Sequence, residues 1–139
     1  MPIPPLSADG RLPPGVHRAT PEEVVSRFCA GSERRLGLRD PFLTLVEVAR
    51  EAKASEQIID GSFVTSKERP GDIDAILVLP RGFDIRSECG KQIKELYEVH
   101  GFDVERVSEG DAELRDYLVN VFFGTDRDGN HRGLVEVIL

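Results

Sequence analysis

The chain lacks the sequence features that would place it in a membrane or in a secreted disulfide framework. No apolar run approaches the roughly 18–20 residues that a membrane-spanning helix needs. The N-terminus has no basic region followed by a hydrophobic one, so we expect no signal peptide. The cysteines, Cys29 and Cys89, are far apart and form no CxxC pair, which favours reduced thiols. A cytoplasmic protein that does not bind membranes is therefore expected.

Clustered basic residues and the common phosphate-binding loops are also lacking. A net charge of −7 argues against broad DNA binding, which needs clustered lysine and arginine. The densest basic stretch is the short Ser-Glu-Arg-Arg at 32–35. Neither G-x-x-x-x-G-K-[ST] nor GxGxxG occurs, so P-loop and Rossmann sites have no support. A nucleotide is not excluded, because a bound metal ion brings positive charge of its own.

The pattern of apolar residues predicts an α/β (α+β) fold, with a small mixed sheet flanked by helices. Residues 1–19, rich in proline, are expected to form an extended arm, and residues 20–139 a single domain. Helices are predicted over about 21–30, 41–54, 90–99 and 111–123. Strands are predicted at 57–60, 73–79, 102–107 and 134–139, with a turn over 126–133. In the last helix, the residues expected to face the core are Leu114, Tyr117, Leu118, Val121 and Phe122.

The most informative stretch is residues 60–80, where Gly61-Ser62 is followed after nine residues by Asp72 and Asp74. Side chains two apart on a strand project to the same face, so the two carboxylates are expected to lie together. Two carboxylates this close repel, and one of them would hold a proton unless a cation lay between them. An aspartate inside an apolar strand is costly unless it is paired or metal-bound. Mg²⁺ commonly binds one or two carboxylates together with substrate phosphates.

The string GSFVTSKERPGDID, with LPPG near the N-terminus, resembles the DNA polymerase β-like nucleotidyltransferase superfamily. The closest resemblance is to its minimal, single-domain bacterial members. This resemblance implies a nucleotidyltransferase-type fold and transfer of a nucleoside monophosphate from an NTP, with ATP as the first candidate. It also implies a protein or RNA acceptor, and minimal members often occur in toxin–antitoxin pairs. The proline-rich arm is compatible with a homodimer.

The resemblance also implies roles for individual residues. Gly61, Ser62 and Lys67 are expected to bind the nucleotide phosphates. Asp72, Asp74 and a third acid, Asp103, are expected to be catalytic and to bind Mg²⁺ or Mn²⁺.

Alternatives remain for the third acid and for the function. Glu105 lies on the same predicted face as Asp103, and Glu136 in the last strand is a weaker choice. Some relatives would carry an aspartate in the segment matching residues 118–123, where Asn120 is the polar residue here. If that segment held the true third position, the chain would lack a ligand. The alternative function is therefore a catalytically inactive, nucleotidyltransferase-like module that binds nucleotides or a regulatory partner.

Overall fold

The fold is mixed α/β, as predicted, with a five-stranded mixed sheet and helices packed against it. The computed structural model describes residues 3–125, 128–129 and 131–139. The strands in chain order are β1 (Gly15–Ala19), β2 (Glu56–Asp60), β3 (Asp74–Leu79), β4 (Asp103–Ser108) and β5 (Gly133–Val137). Their order across the sheet is β1-β5-β2-β3-β4. The pairs β1–β5 and β3–β4 are parallel, whereas β2 is antiparallel to both of its neighbours.

The α-helices are α1 (Pro21–Phe28), α2 (Glu33–Gly37), α3 (Arg39–Glu51), α4 (Glu88–His100) and α5 (Ala112–Tyr117). A 3₁₀ turn spans Ser62–Val64, and a π-helical turn spans Leu118–Phe122 directly after α5. The sequence Thr20-Pro21-Glu22-Glu23 forms a capping box at the start of α1. The Thr20 Oγ1 accepts from the Glu23 N–H at 3.2 Å, and the Glu23 carboxylate accepts from the Thr20 N–H at 3.2 Å. None of the helices among the described residues is long and apolar enough to cross a membrane.

One face of the sheet is thickly covered. Helices α1 and α3 bury Val24, Phe28, Phe42 and Leu45 against this face, and α4 adds Leu96. Because β3 contributes to the apolar clusters on both faces of the sheet, it is an interior strand buried on both faces, as its near-continuous apolar run predicts.

The other face is covered mainly by the π-helical turn. That turn buries Leu118 and Val119, together with Phe123, against alternate residues of the strands, such as Ile76 and Val78 of β3. Asp74 shares this face because it precedes Ile76 by two residues. Asp74, the first residue of β3, therefore lies on the more thinly covered side of the sheet, whereas Asp72 precedes the strand that it was expected to open.

Four local differences separate the fold from the sequence prediction. The last five residues of the expected N-terminal arm form the edge strand β1, and α2 was not predicted. The predicted helix over 111–123 divides into α5 and the π-helical turn. The predicted inward stripe in this helix was largely wrong, because Leu114, Tyr117, Val121 and Phe122 are exposed. The turn predicted over 126–133 lies partly outside the described residues, at positions 126, 127 and 130.

Candidate functional site

Three aspartates lie level with one another on adjacent strands. In the register of the sheet, Asp74 of β3 pairs with Asp60 of β2 on one side and with Asp103 of β4 on the other. Residues paired across strands project to the same face, with Cβ atoms about 4.5–5.5 Å apart. We call Asp60, Asp74 and Asp103 the aspartate row. Asp72, two residues before Asp74, adds a fourth carboxylate at this end of the sheet.

The electrostatic environment of Asp74 shows that these acids influence one another. Burial, the largest effect, and the charges of Asp72, Asp60 and Asp103, in that order of strength, together raise the pKa of its carboxyl from 3.8 to about 6. The guanidinium of Arg132 acts in the opposite direction. Like charges disfavour ionisation and a nearby cation favours it. Asp74 is therefore a carboxylate that a bound cation would stabilise strongly.

Asp60 is the buried member of the row, with 1% of its surface exposed. Its Oδ2 accepts from Arg132 Nη2 at 3.3 Å, whereas its Oδ1 is buried without a hydrogen-bond partner. Burial raises the pKa of this carboxyl to about 6, against the lowering effects of the Gly61 backbone N–H and Arg132. A buried carboxylate oxygen without a partner is costly. Asp60 was not predicted as a site residue, although its position directly before Gly61-Ser62 indicates that it lies at the site.

The Gly61-Ser62 turn packs directly against Asp74. Gly61 has a φ of +83°, a conformation that other residues rarely adopt. A Cβ at this position would meet the Asp74 Oδ2 far inside van der Waals contact. The backbone conformation and the lack of room for a Cβ therefore both require glycine at this position. Because glycine has no side chain, the start of the Ser62–Val64 turn packs against the aspartate row.

Arg35 holds the loop that follows Gly61-Ser62. Its guanidinium is buried and donates to five backbone carbonyl oxygens, at distances between 2.6 and 3.4 Å; the acceptors are those of Phe28, Ser62, Phe63, Thr65 and Lys67. Arg34 donates to the carbonyls of Pro70 and Gly71, and the Ser32 hydroxyl to that of Glu68. The basic stretch at 32–35 therefore braces the loop between Ser62 and Asp72.

Two adjoining cavities open beside the aspartate row. The smaller, of about 320 Å³, is lined by Gly61, Ser62 and Lys67, together with Arg11 and Arg132. Asp60 lines both cavities. The larger, of about 900 Å³, shares all of these residues except Lys67, and its other lining residues include Asp74, Tyr117, Val121 and Phe122. The three predicted phosphate-binding residues therefore line one cavity, and Asp74 lies in its neighbour.

The N-terminal segment forms one wall of the smaller cavity. Arg11 forms an isolated bridge with Thr65, and the Ser66 N–H donates to the Gly10 carbonyl at 2.9 Å. Gly10 has a φ of +80° and lies so close to the Ser66 hydroxyl that a Cβ would not fit. This packing brings the cationic side chain of Arg11 to the cleft, a contribution that the sequence analysis did not anticipate.

The alternatives for the third acid occupy different places. Asp103 is exposed and lies opposite Asp74, whereas Glu105 lies opposite Ile76, two residues farther along β4. Glu136 forms an ion pair with Arg18 at 3.5 Å. Asn120 is exposed on the π-helical turn. The register therefore brings Asp103 nearest to the acidic pair.

The carboxylates are not already gathered around a point. Within the part of the chain that the structure describes, no three His, Cys, Asp or Glu side chains stand in metal-binding geometry. The interactions that raise the pKa of Asp74 nevertheless come from three other aspartates. Carboxylates that repel one another come together when a cation neutralises them or when one of them holds a proton. The chemistry of these donors, all of them carboxylate oxygens, suits a hard divalent cation.

Comparison with known proteins gives a family but no activity. A family described as "Family of unknown function (DUF6932)" matches residues 4–138. No curated protein matches the chain, and no solved structure does.

Proposed function

We propose that this chain, which belongs to the family of unknown function DUF6932, is a Mg²⁺-dependent nucleotidyltransferase. The observation that carries the proposal is the aspartate row, level across three adjacent strands and next to the Gly61-Ser62 turn. The substrate is an NTP, with ATP as the first candidate. The acceptor is a hydroxyl group of a protein or an RNA.

The donor set fits a divalent cation. Asp72, Asp74 and Asp103 supply exposed or half-buried carboxylates, and Asp60 adds a buried oxygen without a hydrogen bond. Bound Mg²⁺ would neutralise these acids and the nucleotide phosphates and lower the pKa of the attacking hydroxyl. Burial is the largest cause of the raised pKa of Asp74, and a cation at this position would offset the repulsion from Asp72, Asp60 and Asp103 that raises it further.

The remaining residues bind and orient the nucleotide. Gly61 and Ser62 offer backbone N–H groups and a hydroxyl to the β and γ phosphates. Lys67, with Arg11 and Arg132, lines the adjoining cavity and supplies positive charge for the polyphosphate. Asp103 would ligate the ion and help to activate the acceptor hydroxyl for attack on the α-phosphorus. Attack there forms an acceptor O–P bond and breaks the bond to the β-phosphate, which releases pyrophosphate.

Arg132 supports a second candidate, a module that binds nucleotides without catalysis. Its guanidinium contacts Asp60 and lowers the pKa values of both Asp60 and Asp74. An internal cation of this kind performs part of the neutralisation that the catalytic hypothesis assigns to Mg²⁺. The module would therefore bind an NTP without a metal ion and would release no pyrophosphate.

Labelled ATP distinguishes the two candidates. The protein is incubated with a cell lysate and Mg²⁺, with ATP labelled in either the α or the γ phosphate, and protein and RNA fractions are counted. The enzyme incorporates the α label and not the γ label, and Asp74→Asn abolishes incorporation, whereas Asp40→Asn on the opposite side of the sheet does not. Metal-independent ATP binding without incorporation supports the module. If ATP does not bind with or without Mg²⁺, both candidates are wrong.

A further inference from the structure

An exposed apolar surface forms one side of the larger cavity. Tyr117, Val121 and Phe122 are 51%, 51% and 56% exposed, although their sequence pattern is that of core residues. They line the same cavity of about 900 Å³ as Asp60, Ser62 and Asp74. We call Tyr117, Val121 and Phe122 the aromatic wall.

The π-helical turn creates this surface. The Phe123 N–H donates to the carbonyl of Leu118 at 2.8 Å, an i→i+5 bond that places one extra residue in the turn. Leu118 and Val119 consequently pack against the sheet, and Tyr117 and Phe122 are left on the side of the cleft. Such turns occur frequently at functional sites.

The two rings of the wall are held in place. The Tyr117 and Phe122 ring centroids lie 6.5 Å apart with 31° between the ring planes. Phe122 also contacts the buried Phe123 edge to face, at 4.8 Å and 86°. The bidentate ion pair between Arg115 and Glu56 fixes α5 to β2, with distances of 3.0 and 2.6 Å. These contacts restrain the two rings on the side of the cleft.

We propose that the aromatic wall stacks the base of the nucleotide, a proposal that rests on the function proposed above. The cavity combines an acidic, metal-suited end with an aromatic side. A nucleoside triphosphate has the matching composition, with an anionic polyphosphate at one end and a planar π system at the other. Its size is also appropriate, since sites for small ligands are commonly about 300–1,000 Å³. A second copy of the chain or an apolar peptide would also cover the aromatic wall. Neither would bring a cation to the aspartate row, so neither accounts for the acidic end of the cavity.

Stacking gives affinity without strong selection among bases, because every base has a π face. The wall should therefore strengthen binding of all four NTPs by similar factors. Inorganic tripolyphosphate, which has no base, should bind to the polar end without using the wall.

The test compares these ligands in the full chain. Affinities for a non-hydrolysable ATP analogue and for tripolyphosphate, both with Mg²⁺, are measured by calorimetry for Tyr117→Leu and Phe122→Leu. We expect each variant to bind the analogue roughly 5- to 150-fold more weakly, with unchanged affinity for tripolyphosphate. Tyr97→Leu is the matched control, because Tyr97 is 65% exposed on α4 and lies outside both cavities.

A second variant provides an independent measurement. The chain contains no tryptophan, so Tyr117→Trp introduces a single reporter into the wall. Its fluorescence should be quenched by the Mg²⁺–ATP analogue and unchanged by Mg²⁺–tripolyphosphate. This measurement decides the question even if the leucine variants fail to fold.

Each remaining outcome is decisive. Unchanged affinity of the leucine variants for the analogue, or no quenching of Tyr117→Trp by a bound analogue, would overturn the base-stacking proposal and leave the proposed function standing. Failure of both ligands to bind the wild-type protein would overturn the proposed function itself. If the leucine variants convert a dimer to a monomer in sedimentation without changing nucleotide affinity, the wall is an interface between copies and the proposal is wrong.

Discussion

Replacing Asp74 by asparagine is expected to stabilise the ligand-free protein at neutral pH and to have little effect near pH 4. The carboxyl of Asp74 is crowded by burial and by Asp72, Asp60 and Asp103, which raise its pKa from 3.8 to about 6. Asparagine removes the charge at nearly constant volume. The gain in stability should therefore appear only where the carboxyl is ionised.

The sign and size follow from proton linkage. As the pH rises from about 4 to about 6, the unfolded chain has already lost the proton that the folded protein still holds on Asp74. The contribution of Asp74 to the free energy of unfolding of the wild type therefore falls through this range and is constant above it. The difference between 3.8 and about 6 corresponds to about 3 kcal/mol. Because Asp74 is partly exposed, screening reduces this to about 1–2 kcal/mol.

The assay is urea denaturation of both proteins at about pH 4 and about pH 7.5 in a metal-free buffer. We expect Asp74→Asn to exceed the wild type by about 1–2 kcal/mol at the higher pH, and the two to be equal within about 0.5 kcal/mol at the lower pH. Asp40→Asn, on α3, should show no such pH-dependent gain. If Asp74→Asn is less stable than the wild type at pH 7.5, or exceeds the wild type by the same amount at both pH values, the ionised carboxyl of Asp74 does not destabilise the fold.

Three further predictions concern the parts of the site. Arg35→Met should lower the free energy of unfolding, measured by chemical denaturation, by about 3–5 kcal/mol, because it leaves several buried carbonyls unpaired. A loss below about 1 kcal/mol would show that Arg35 does not brace the loop. Gly61→Ala should cost at least about 1–2 kcal/mol in the same assay, because φ is positive and Asp74 Oδ2 blocks a Cβ; Gly82→Ala, also at positive φ but with open space, is the control for the contact. Mg²⁺ should raise the melting temperature of the wild type more than that of Asp74→Asn at pH 7.5, since only the folded site binds it; equal shifts would place the bound ion elsewhere.

Four of the five strands were predictable because short-range patterns determine them. The apolar run from Ile73 to Leu79 predicts a central strand, and the spacing of Asp72 and Asp74 places two carboxylates at its start. The alternation in β4 likewise predicts a half-exposed strand that carries Asp103. These features depend on the side-chain period of a strand, which the sequence displays directly.

The rest of the site depends on contacts between distant segments. The role of Arg35 could not be deduced, because its acceptors are backbone carbonyls that no residue identity encodes. Asp60 joins the row only through the register of β2 with β3. The aromatic wall was predicted to face the core, because a continuous α-helical period was assumed across a π-helical turn. β1 escaped prediction because its pairing partner, β5, lies more than a hundred residues away.

Crystals grown with Mn²⁺ and a non-hydrolysable ATP analogue would show whether the aspartate row and its neighbours hold a divalent cation for a nucleotide. We predict an anomalous Mn²⁺ peak coordinated by Asp72 and Asp74, together with Asp103 or the free oxygen of Asp60, and polyphosphate density at Gly61 and Ser62. Crystals with abundant nucleotide and Mn²⁺ but no peak at these carboxylates would contradict the account.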